Sequence, residues 1–101
     1  MIIRKGEDKV IPIELYNNGE ALLPEAVEKA VFNIGPLEKY WPGDVLFYEG
    51  KWLLPITQNE TLGIAAGMYT AEARIKLKSG EIEGVTFEKV SFVPMQNKEV
   101  L

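Results

Sequence analysis

Cysteine and histidine are both missing from this sequence of 101 residues. Without cysteine there is no disulfide framework and no thiolate nucleophile. Without histidine the commonest general base and the commonest metal ligand are gone. Ser-His and Cys-His triads and zinc sites built on either residue are excluded. Aspartate is scarce too: Asp8 and Asp44 stand beside thirteen glutamates, so there is no Asp-rich calcium loop. No apolar run approaches the roughly 20 residues that a membrane-spanning helix needs. The opening "MIIRKGEDKV" reaches charge within a few residues, and no signal peptide is expected. Positive charge is in deficit, with 11 Lys+Arg against 15 Asp+Glu and a net charge of −4. A nucleic-acid partner, which needs a clustered basic surface, is therefore not expected.

What is present is an ordinary globular composition, 47% hydrophobic and 26% charged. That length supports one core, so a single β-sandwich domain is expected over residues 1–94, followed by a loosely ordered tail over 95–101.

The segment "LGIAAGMYTAEARIKL" decides the fold class. Its alanines suit a helix, but from Tyr69 the odd positions are Tyr69, Ala71, Ala73, Ile75 and Leu77, and the even positions carry Thr70, Glu72, Arg74, Lys76 and Lys78. A period of two puts the apolar set on one face of a strand, whereas a helix would scatter the charges around its circumference. Ser79-Gly80 predicts a hairpin turn into a return strand bearing Ile82, Val85, Phe87, Val90 and Phe92. The parity of that strand shifts near Gly84 and again near Glu88-Lys89, which predicts bulges; Pro94 ends it.

Elsewhere Ile11, Ile13 and Leu15 alternate around Pro12, an edge-strand signature. Asn17-Asn18-Gly19-Glu20 and Glu49-Gly50 read as turns. A helical turn is expected near 25–28, then a strand over about 29–34. The stretch "GPLEKYWPGD" reads as a loop. Strands are expected at Val45–Tyr48 and Lys51–Ile56, and Thr57 with Glu60 forms a capping box for a short helix over 58–63. About seven short strands joined by turn chemistry predict an all-β, immunoglobulin-like sandwich with one or two helical turns. The predicted core is Ile11, Ile13, Leu15, Trp52, Leu54, Ile56, Tyr69, Ala71, Ala73, Ile75, Leu77 and Phe87.

No constellation of catalytic residues is recognisable, and none is assigned; no cofactor or metal is expected. Glu81-x-Glu83 reads as a solvated strand face rather than an acid pair, and Arg74, Lys76 and Lys78 likewise. Gly67-x-Tyr69-x-Ala71 has the spacing of a tyrosine corner. Tyr40, Trp41 and Tyr48 are the candidate partner-contact residues, with Trp41, set in the expected loop, the most exposed. In a coplanar strip they would suit a sugar.

The N-terminal "KGEDKVIPIELYNNGEALLP" resembles the opening of the immunoglobulin-like N-terminal domain of phage baseplate upper proteins. The central "WLLPITQNETLGI" and the later "RIKLKSGEIEG" resemble small prophage proteins. The resemblance covers nearly the whole chain through turn and core residues. It implies a non-enzymatic structural or accessory protein of a tailed phage or prophage, found in the virion or in the host cytoplasm during assembly. The partners it implies are other tail or baseplate proteins, or self-association, with no nucleic acid and no membrane. A carbohydrate-binding module and a generic bacterial immunoglobulin-like interaction module are the alternatives.

Overall fold

The computed structural model describes residues 1–96 and 100–101. Within them the chain is mostly β-strand, so the all-β expectation holds. In chain order the strands are β1 (Ile2–Arg4), β2 (Lys9–Ile13), β3 (Tyr16–Asn17), β4 (Glu20–Ala21), β5 (Val27–Ile34), β6 (Leu37–Trp41), β7 (Leu46–Tyr48), β8 (Lys51–Ile56), β9 (Gly67–Leu77) and β10 (Ile82–Val93). A 3-10 turn over Pro24–Ala26 precedes β5, and one helix, α1 (Gln58–Gly63), lies between β8 and β9.

Three sheets result. A five-stranded mixed sheet runs β1-β10-β9-β5-β6, a three-stranded sheet runs β2-β8-β7, and β3-β4 form a small hairpin. All pairings are antiparallel except β1 with β10, which the sequence pattern did not anticipate. Pro12 lies on β2, an edge of the smaller sheet, where a missing N–H costs no ladder bond. Asn18 and Glu49 have positive φ and are each followed by a positive-φ glycine, the backbone demanded by two-residue hairpin turns.

The aromatic core is where the smaller sheet meets the larger. Trp52 of β8 is fully buried and its indole Nε1 donates to the Leu22 carbonyl at 3.1 Å. Its ring meets Phe32 of β5 at 6.3 Å, Trp41 of β6 at 5.0 Å and Phe47 of β7 at 5.1 Å. Ile11, Ile13, Leu15, Leu54, Ile56, Ala71, Ala73, Ile75 and Leu77 are all buried as predicted. Tyr69 and Phe87 are half-buried, packed against the core rather than inside it. Tyr69 is the third residue of β9, and its hydroxyl donates to the Ala65 carbonyl at 2.7 Å, the bond expected of its spacing. Its ring also lies so close over Gly35 that a β-carbon there would clash with Cδ1.

Several sequence readings need correction. Residues 37–41 are a strand, not a loop, because Gly35-Pro36 alone makes the turn and β6 pairs with β5 from Ala30 to Ile34. Gly84 pairs regularly with Arg74, so there is no shift there; Ile82 simply points to solvent. A single bulge places Phe87 between the Thr86–Glu72 and Glu88–Ala71 pairs. One extra residue is enough to move the inward set from Val85 and Phe87 to Val90 and Phe92. The predicted loose tail over 95–101 falls partly on 97–99, outside the described residues. At its far end the Leu101 backbone N–H donates to Gln58 Oε1 at 2.7 Å.

Two polar clasps tie α1 to the sheets. Thr61 is the one fully buried polar side chain among the described residues. Its Oγ1 accepts from the Gly6 N–H at 2.9 Å and faces the carbonyls of Glu7 and Gln58 at 2.9 and 3.0 Å, to one of which it donates. Glu60 completes the predicted capping box and also meets Lys39 Nζ of β6 at 2.7 Å. Burial alone would raise the Glu60 pKa. The hydrogen bonds from Lys39 and the Thr57 backbone outweigh it and hold the carboxyl below its ordinary value.

Thr61→Val keeps the shape and strands the Gly6 N–H, so urea denaturation should show a loss of about 1–3 kcal/mol, with Thr61→Ser close to the parent. Because the folded pKa of Glu60 is depressed, its contribution is complete above the unfolded-chain value and disappears as pH falls through the folded one. Glu60→Gln should lower stability at neutral pH by up to about 1 kcal/mol, the ceiling for pairs open to solvent. Denaturation midpoints measured from pH 7 to 3 should converge for the two proteins at the acid end.

Candidate binding surface

The five-stranded sheet has one face packed on the smaller sheet and the other open. Alternation assigns the side chains. In β5 Phe32 and Ile34 turn inward and Lys29, Val31 and Asn33 outward; in β9 Ala73 and Ile75 turn inward and Glu72, Arg74 and Lys76 outward. The ladder registers then set these outward residues in rows. One row reads Glu38, Asn33, Glu72, Thr86; the next reads Tyr40, Val31, Arg74, Gly84; the third brings Lys29, Lys76 and Ile82 together.

All residues of the second and third rows except Gly84 border an open groove of about 530 Å³: Lys29, Val31, Tyr40, Arg74, Lys76 and Ile82. The Tyr40 hydroxyl donates to the Glu38 carboxylate, which orients the ring. Ionising the phenol would break that bond and set two negative charges together, so its pKa is pushed above the usual tyrosine value.

The three predicted contact residues do not gather into one strip. Tyr40 is 49% exposed on the outer face of the larger sheet. Tyr48 is 65% exposed but belongs to β7, where its neighbour Phe47 is the residue turned toward Trp52. Trp41, expected to be the most exposed, is half-buried, because the inward side of β6 sets its ring edge-on to Trp52. Its assignment to a loop is what misplaced it. No group of three or more acidic side chains is placed to hold a metal among the described residues.

A second feature is an open sheet edge. β1 covers only Ser91 to Val93 of β10. Among the described residues no strand pairs with Ile82 to Glu88 on the side away from β9.

No protein-family model matches this chain, and neither the curated proteins nor the solved structures hold a match to it. Missed in the sequence were the basic row, because Lys29 and Lys76 belong to strands far apart in the chain, and the open edge, because what borders β10 on the side away from β9 was not legible.

The two tryptophans give a direct check. Trp41→Phe should leave blue-shifted emission from the buried Trp52 with little acrylamide quenching. The parent, with Trp41 half-open, should quench more.

Proposed function

We propose that this chain is a structural or adaptor protein of a tailed phage or prophage, without enzymatic activity, associated with the tail or baseplate. In this reading the two facing sheets are an immunoglobulin-like sandwich, and the protein works through contacts with other virion proteins or with itself. Its place is the virion, or the host cytoplasm during assembly. Support comes from the resemblance in the strand-turn pattern to the N-terminal domain of baseplate upper proteins.

The observation that carries the contact mechanism is the unpaired edge of β10 from Ile82 to Glu88. Such an edge offers a row of backbone donors and acceptors to an incoming strand. Half-buried Val85 and Phe87 lie under it, with apolar surface that an added strand would cover. The sugar-strip alternative draws no comparable support, since Tyr40 and Tyr48 lie in different sheets.

Light scattering on the purified chain, together with capture from a lysate of cells carrying an induced prophage, tests the proposal. A mass above the monomer, or retention of identified tail or baseplate proteins, is expected, and Thr86→Lys on the open strand should weaken it at least tenfold. A strict monomer that retains no virion protein overturns the proposal. Retention of bacterial surface proteins instead favours the generic interaction module.

A further inference from the structure

The groove on the outer face carries an electrostatic arrangement that the fold itself does not need. Lys29 and Lys76 are paired directly across β5 and β9 on the same face, and like charges so placed destabilise a sheet. Arg74 stands two residues along β9 on that face. The chain as a whole is acidic, yet three of its cations meet here. Glu28 answers Lys76 at 3.5 Å, and no ion pair joins Lys29 or Arg74 among the described residues. Glu72, the nearest outward acid on β9, lies beyond salt-bridge distance of Arg74.

Two backbone features shape the spot. A bulge at Glu28 inserts one residue between the Val27–Leu77 and Lys29–Lys76 pairs, and this register sets Lys29 opposite Lys76. Bulges commonly re-aim a side chain in this way. Across from Arg74 is Gly84, with no positive φ to require glycine and nothing within 4 Å of where a β-carbon would stand. Neither conformation nor packing accounts for glycine at this position. A β-carbon there would stand in open space on the strand paired with Arg74.

From this we infer that the groove binds a phosphate monoester attached to a ring, with the phosphate between Lys29, Lys76 and Arg74 and the ring against Tyr40. A monoester carries about −1.5 to −2 charge near pH 7, enough to answer cations that a single carboxylate would leave unbalanced. An Arg fork and two Lys point charges suit its three terminal oxygens. Val31, Ile82 and the Tyr40 face give the apolar wall that a ring needs and a bare anion does not. The site does not rest on the phage assignment: its three cations and Tyr40 stand on β5, β6 and β9, away from the open edge of β10.

Titration of the 15N-labelled full chain at low salt tests this with inorganic phosphate, glucose 6-phosphate, AMP and glucose as the probes. One of the two monoesters should shift amides of residues 29–31, 40, 74–76 and 82 saturably, at least tenfold more tightly than inorganic phosphate, and glucose should shift none. The two monoesters separate a sugar ring from a nucleotide. Lys29→Gln and Arg74→Gln should each weaken binding at least fivefold, while Lys51→Gln in the other sheet should not. Overturning results are no saturable shift with either monoester, inorganic phosphate binding as tightly as both, or affinity indifferent to Lys29→Gln and Arg74→Gln.

Discussion

The contact on which the rest of the molecule depends is the seating of Trp52 against the inner face of the larger sheet. A buried indole removes some 150–250 Å² from water, on the order of 4–6 kcal/mol before ordering costs. It also brings one N–H that must find an acceptor. The acceptor is the carbonyl of Leu22, so the segment between β4 and the 3-10 turn is held wherever Trp52 is held. Phe32, Trp41 and Phe47 then have their places decided by one ring. That is why Trp41, the residue whose sequence neighbours most favour exposure, turns inward.

Bulk at the interface is matched by its absence elsewhere. Ala73 pairs with Phe32 on one side and Val85 on the other, and Ala71 stands where the Phe87 bulge interrupts β10. Large residues in β9 at these places would push β5 and β10 apart on the side that faces the smaller sheet. Alanine in the middle of a strand is poor by propensity, and here packing overrides propensity. The chain is drawn out by the same hairpin: β9 and β10 run eleven and twelve residues, and the longest extent is 47 Å.

Strand periodicity was legible wherever one face is buried and the other charged. Residues 69–77 are the clearest case, and the helix over 58–63 was legible because its capping box is a local chemical signature. Turns with positive φ at Asn18-Gly19 and Glu49-Gly50 were legible for the same reason. Illegible were the relations between distant segments. Nothing local in Ile2–Arg4 announces a parallel partner at Ser91–Val93. Parity on β10 misled at Gly84 because Ile82 is an apolar residue facing water, and apolar surface is common on proteins. The candidate surface was the least legible of all, since it exists only through the register of β5 on β9.

That register also joins the two surface features. Ile82 belongs to the border of the groove and to the unpaired stretch of β10 at once. A strand added along that stretch would extend the sheet beyond Gly84 and turn an open border into a wall. The inner face is closed by the aromatic core and offers no comparable opening.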